Sequence, residues 1–473
     1  MGRLALLLVG ILIAPTAAAE FGPESADGFP IGIDGDVRRP PADPLNKVGP
    51  FTFYPYYPLL TLEVQRLALD HPDLVRLTSA GKSTAGLDLW LLEIADFARI
   101  EAGEGIPLAD REVIYIDGGT HSNEYSGVYF VTEVAQFLLD EYATNETAKW
   151  IVENRHTWIL PMVNPDGSNA FGRLNAKLVN VNRNFPTTWG TVNENPILNN
   201  PGPEPASEPE TRTVMSVMER VRPDYVNSIH CCGNLWLHPW GAEDLPPPED
   251  LQMFTRICDE AFADVREDCG EIWSTIYPAS GTTADEGYGL VGASSWTYEM
   301  SGRGAIAPWG QPAIQDDVRV QEVESWNGIM HAFLNVHKYG ARPEIVAVAG
   351  DAKELRVTIR NIGYGNLTFG NVTVGGTSVA MPRLAPDEVG VVTVPGSFEP
   401  GTTRIQLDWE KRQRLGPQGH MNVDVPLARE GRGLIGLLDG QALGATSGGA
   451  QVPLGGAWLG LLALAAVALL RRR

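Results

Sequence analysis

Positive charge is what this chain has least of. Its 36 Lys and Arg stand against 58 Asp and Glu, for a net charge of −22. Binding a polyanion needs clustered cations, so nucleic acid is excluded as a partner. The same acidity suits a salt-rich environment. Cysteine is scarce too, with four in all: Cys231, Cys232, Cys258 and Cys269. Their spacing does not fit a zinc ribbon. An even count permits disulfides outside the cytoplasm, and Cys258–Cys269 is the expected bond, because adjacent cysteines pair only with strain. No tandem repeat is present, and the long apolar runs lie at the two ends.

Those ends read as addresses. Arg3, the run Leu4 to Ala14 and the small residues Ala17-Ala18-Ala19 form the pattern of a secretory signal over 1–19, which places the mature protein outside the cytoplasm. Residues 20–50, rich in Pro, Gly and Asp, read as a leader too short for a globular pro-domain. At the other end, residues 429–453 read as a linker. The apolar stretch from Leu454 reaches the lower limit for a bilayer span, roughly 17 residues. Arg471, Arg472 and Arg473 close it and predict a cytoplasmic end. A membrane anchor or a sorting tail fits this layout.

Between the ends, 473 residues are too many for one ordinary core. Over 51–340, apolar runs of strand length alternate with helical patterns. The runs include Val113–Ile116, Thr157–Leu160, Tyr225–Ile229 and Trp296–Tyr298, and Val128, Val131, Val134, Leu138 and Tyr142 mark one helix face. This predicts an α/β domain with a largely buried sheet. Over 343–428, short alternating segments such as Leu355–Ile359 and Val391–Val394 are separated by Gly, Asn and Pro turns, the pattern of a small β-sandwich. Nothing in it names a ligand.

The chemistry-bearing residues fall after the strand-like runs. His121 and Glu124 follow the first run, Asn164-Pro165-Asp166-Gly167 the second, His230 the third, and Glu299 closes the fourth. Open α/β sheets bind ligands beyond the C-terminal ends of their strands, so these groups are aimed at one rim. His121 and Glu124, with the distant His230, offer two imidazoles and a carboxylate; that set suits zinc and leaves a position open for water. Glu299, flanked by Tyr298 and Met300, is a candidate general base whose desolvation raises its proton affinity. Arg183, in Asn182-Arg183-Asn184-Phe185, offers a planar fork for a substrate carboxylate, and Arg173 is placed to stabilise an oxyanion.

Taken together and in this order, the residues resemble the zinc carboxypeptidase family over roughly 51–340. His121-Ser122-Asn123-Glu124 matches its first metal motif, Asn182-Arg183 its carboxylate clamp, His230 its third ligand and Glu299 its catalytic glutamate. Tyr277, in Thr275-Ile276-Tyr277-Pro278, resembles the tyrosine that closes over substrate. Three departures stand out: Asn180 replaces an aspartate, Cys231 and Cys232 replace a serine and a tyrosine, and Asn123 replaces an arginine of many digestive members. The resemblance implies a mixed sheet between helices, one zinc, and removal of C-terminal residues from peptides and proteins. It also implies a specificity pocket whose floor, by spacing from Tyr277, is Ala284. That small neutral floor favours Phe, Tyr, Trp or Leu, whereas Asp285 would favour Lys or Arg if its carboxylate reached the pocket. Rival readings are an amidase acting on peptidoglycan stem peptides and a non-catalytic surface binding protein.

Overall fold

A computed structural model describes residues 57–438, apart from 171, 194, 232, 262–267, 301–325, 417 and 432. The expected signal, leader and C-terminal tail lie outside the described residues. Among the described residues, no helix is long and apolar enough to cross a membrane.

The first domain is built on eight strands: β1 (Val75–Lys82), β2 (Asp88–Ile94), β3 (Glu112–Gly118), β4 (Arg155–Leu160), β5 (Tyr225–Cys231), β6 (Leu235–His238), β7 (Asp268–Glu271) and β8 (Ser294–Met300). They form one mixed sheet in the order β1-β2-β4-β3-β5-β8-β6-β7. The central strands β4, β3, β5 and β8 run parallel. Every residue of β5 and β8 is buried, as expected of a sheet covered on both faces. Period-two alternation then sorts side chains between two cores. Ile114 and Ile116 of β3 pack with Val128, Val131, Val134 and Leu138 of the Tyr125–Asp140 helix. Tyr115 between them packs with Val214, Val217 and Met218 of the Pro209–Val221 helix. Each such fully buried aliphatic side chain contributes about 1.5–3 kcal/mol. Tyr142, expected on the same helix face, lies just past the helix end, packs against the same core and donates its hydroxyl to Asp96 at 2.5 Å.

The second domain has eight strands, β9 (Pro343–Gly350), β10 (Glu354–Asn361), β11 (Gly370–Val374), β12 (Thr377–Ala380), β13 (Val389–Pro395), β14 (Gly401–Glu410), β15 (Gln418–Glu430) and β16 (Gly433–Gly436). Every pairing is antiparallel, in the order β12-β11-β14-β15-β16-β9-β10-β13. The strands close on a core that includes Val357, Ile359, Val372, Leu407, Trp409 and Val425, a β-sandwich. It runs further than its composition suggests. The linker expected from 429 begins later, because β15 continues to Glu430 and pairs with β16, burying Leu427 and Leu434.

Cys258 and Cys269 are bonded, as expected, tying the Leu251–Ala261 helix to β7. Cys231 is disulfide-bonded as well.

Candidate active site

After β3 the chain turns sharply. Gly119 sits at φ +63, where a Cβ would meet Val128 Cγ2 at 2.6 Å; only glycine takes both that conformation and that approach. The turn delivers His121, and three residues later Glu124 at the N-cap of the Tyr125–Asp140 helix. Glu124 makes no capping bond with its side chain. Its carboxylate faces His121 Nδ1 at 2.8 Å and His230 Nδ1 at 2.9 Å, and accepts from the Cys231 backbone N–H at 3.2 Å.

The two histidines converge on the same spot, with their Nδ1 atoms 3.1 Å apart. Their other nitrogens fix the tautomers. Asn180 donates Nδ2 to Asn199 Oδ1, so its Oδ1, 3.0 Å from His121 Nε2, accepts that N–H. Ser228 gives its only hydroxyl proton to Asp117 Oδ1 at 2.6 Å, so its oxygen, 3.1 Å from His230 Nε2, accepts there as a nearer partner than the Asn182 amide nitrogen at 3.4 Å. Two bare Nδ1 lone pairs and a carboxylate thus face one another. Burial, then the charge of Arg173, pushes His121 down to about 3, so that its imidazole is neutral. Three neighbouring lone-pair donors with no proton between them repel unless a cation lies among them. The set could hold a metal ion, and its chemistry fits zinc.

Around this centre the structure gathers most of the expected residues. Glu299 pairs in register with His230 on the neighbouring parallel strand, so both side chains leave the same face. Burial, then the charge of Glu124, pushes its carboxyl well above its usual 4.5, against Arg173 and Arg183. Arg173 donates Nη1 to Glu124 Oε1 at 2.8 Å. Asn182 and Arg183 lie in a short 3-10 turn, Val181–Arg183, capped by Asn180. Asn182 Oδ1 accepts from Thr283 N at 2.8 Å and from its hydroxyl at 3.0 Å. Arg183 is buried, with Nη1 on the Asn182 carbonyl and its Cζ 6.0 Å from the centre of the Tyr277 ring. Tyr277 itself is 43% exposed.

Ala284 packs with Leu237, Ile272 and Ala279, and with Leu235 and Ile276 at the margin of that apolar patch. Asp285 is not brought there. Its carboxylate turns away, accepting from Gly241 N at 3.0 Å and Thr188 Oγ1 at 2.7 Å. Burial raises Asp285 to about 7 despite those bonds. A carboxyl whose folded pKa is raised makes the fold less stable as pH rises from its unfolded value, near 4, through about 7. Asp285→Asn should therefore remove up to roughly 4 kcal/mol of pH-dependent loss across that window, read as the difference between the two proteins' urea unfolding free energies at pH 4 and pH 8. Parallel pH profiles would refute the assignment.

Asn180, Ser228 and Asp117 carry no motif of their own. The available signal for the latter two was strand period: Ser228 stands two residues before His230, and Asp117 is paired with it in register across β3 and β5.

A buried zinc site at a sheet rim, with a proton-avid carboxyl on the adjoining strand, is the equipment of a zinc-dependent hydrolase. The comparisons narrow the class. The model of the zinc carboxypeptidase family matches residues 61–315, and the chain belongs to that family; it is a zinc peptide hydrolase. Carboxypeptidase B of Astacus astacus is 29% identical over 281 residues, covering 54% of this chain and 88% of that protein. A zinc carboxypeptidase of Saccharothrix mutabilis subsp. capreolus is 38% identical over 117 residues, 25% of each chain. Bovine thrombin-activatable fibrinolysis inhibitor, solved in complex with tick carboxypeptidase inhibitor, shares the fold at TM-score 0.51 and 18% identity, over 60% of this chain and 98% of that one.

Proposed function

We propose that the protein removes single residues from the C-terminal ends of peptides, preferring large apolar ones, and does so outside the cytoplasm, held at the membrane by residues 454–473. The observation that carries the first part is the buried guanidinium of Arg183 beside Asn182, under the exposed ring of Tyr277. A fixed cation at the end of a cleft selects a free carboxylate, the group that distinguishes a chain terminus. The signal-like N-terminus and the basic-ended apolar tail support the location.

His121, Glu124 and His230 would hold the zinc, which supplies a Lewis acid for the scissile carbonyl and for water. Glu299 takes the proton of the attacking water and returns it to the leaving nitrogen, a task that suits a carboxyl of raised proton affinity. Arg173 uses one N–H group on Glu124; the remainder of its fork is available to the developing oxyanion. Asn182, Arg183 and Tyr277 hold the terminal carboxylate. The patch around Ala284 receives the side chain of the residue removed.

Blocked dipeptides differing only in their last residue, assayed with and without a zinc chelator, test this reading. An apolar patch with no charge to pair leaves an ammonium or guanidinium stranded at several kcal/mol. A substrate ending in Phe should therefore exceed its Arg counterpart by on the order of 10²-fold in kcat/KM, and chelation should abolish both. A preference for Arg that disappears in Asp285→Ala would overturn the pocket. Cleavage of muropeptides in place of free peptides would make the protein an amidase.

A further inference from the structure

The β-sandwich is joined to the first domain by a specific hairpin, and that hairpin ends against residues adjoining the proposed side-chain pocket. Between β14 and β15, Lys411 Nζ reaches Asp224 Oδ1 at 2.8 Å. Arg412, only 2% exposed, donates to the carbonyls of Gly292 and Tyr339. Next, the backbone N–H groups of Gln413 and Arg414 cap the two oxygens of buried Asp250, at 2.9 and 3.1 Å. Tyr288 donates its hydroxyl to the same carboxylate at 3.0 Å. The Arg414 guanidinium lies 5.4 Å over the Trp240 ring and 5.9 Å over the Tyr288 ring.

Both rings lead directly to the pocket. Gly241, next to Trp240, donates its N–H to Asp285 at 3.0 Å and accepts from Ala279 N at 2.8 Å. It passes so close to Ala279 that a Cβ would meet the Ala279 carbonyl oxygen at 2.3 Å. Tyr288 lies one turn beyond Ala284 and Asp285 in the Thr283–Val291 helix. The helix cap, Gly292, is bonded to Arg412. So Ala279 and Ala284, two members of the apolar patch, are each one short link from a group that the hairpin holds.

We propose that Arg414 and the hairpin carrying it are positioning elements for substrate selection: the β-sandwich holds the Trp240–Gly241 segment and the Thr283–Val291 helix so that the pocket around Ala284 keeps its shape. The inference rests on the reading of that patch as the side-chain pocket. Arg414 touches no reacting atom; it acts through Trp240 and Tyr288. A displaced wall weakens the fit of a large side chain and leaves zinc, Glu299 and the carboxylate clamp in place.

The test compares blocked dipeptides ending in Phe and in Ala, cleaved by the full chain and by Arg414→Ala, Asp250→Asn and the control Arg404→Ala. Arg404 pairs with Asp424 on the open face of the sandwich, away from the hairpin. In Arg414→Ala the KM for the Phe substrate should rise about fivefold, with kcat within about twofold. The Ala substrate, the zinc content and the control should be unchanged. Asp250→Asn should move the same ratio, and Arg414→Lys, which restores a cation over the rings, should recover part of it. Equal loss on both substrates, or loss on neither, overturns the proposal. A native protein without a Phe preference over Ala sinks the pocket reading and this inference with it. A native preference that the hairpin variants leave intact sinks this inference alone.

Discussion

Glu299→Gln should retain one zinc per chain and lose about 10³–10⁴-fold in kcat. The expectation follows from where the side chain stands. It is buried on β8 opposite His230, and it is not among the residues converging on the metal position. Glutamine preserves volume and one acceptor oxygen but cannot carry a proton away and return it. Metal analysis of the purified variant should therefore match the native protein while turnover collapses. The same carboxyl sets the acid side of the pH profile. It must be ionised to accept a proton, and burial beside Glu124 pushes its pKa well above 4.5. Activity should consequently decline as the pH falls through the titration of this carboxyl in the zinc-loaded enzyme. Near-native turnover in Glu299→Gln would remove it from the mechanism, and loss of zinc would make it structural.

The second large effect concerns the end of the substrate. Amidating the C-terminus of a good peptide should abolish cleavage, and Arg183→Ala should cost the free-acid peptide roughly 2–5 kcal/mol in kcat/KM, the range seen when one partner of a buried charge pair is removed. Arg183 has little freedom to adapt, because its Nη1 is tied to the Asn182 carbonyl and Asn182 is fastened to Thr283. Its fork is thus oriented before substrate arrives, and little ordering cost remains at binding. The informative comparison is acid against amide in both proteins. Arg183→Ala should bring the two substrates to a similar low rate. An enzyme that cleaves amides as readily as acids would be an endopeptidase or an amidase, whatever the family's usual substrates.

Much of this site could be read from the chain because its parts lie at predictable places in the strands. His121 and Glu124 are three residues apart after a glycine turn, and His230 and Glu299 terminate apolar runs that had to be central strands. What could not be read is direction and distance. Spacing put Ala284 at the pocket floor and left Asp285, next to it, as the residue that would take its place if the chain were shifted by one. In the helix that contains them, consecutive side chains diverge by about 100°, so Ala284 joins the apolar patch while Asp285 turns to Gly241 and Thr188. Asn180 was visible only as a departure from an expected aspartate, and its orientation depends on Asn199, which the motif does not include. The glycines after 429 suggested a linker because composition does not reveal that β16 has a partner strand. The contact of Arg414 with Trp240 joins two domains across a long sequence separation, and no local pattern encodes it.

The registered pairing of His230 with Glu299 has a consequence for how such a protein can change over generations. The backbone ladder sets the spacing of those two groups, so substitutions in the surrounding packing leave it largely fixed, and a slip of β8 by one residue would turn Glu299 to the opposite face from His230. Ala279 and Ala284 themselves are carried on a loop and a helix outside that ladder. Drift and selection can therefore rework what the protein accepts while the distance between metal position and carboxyl stays inherited.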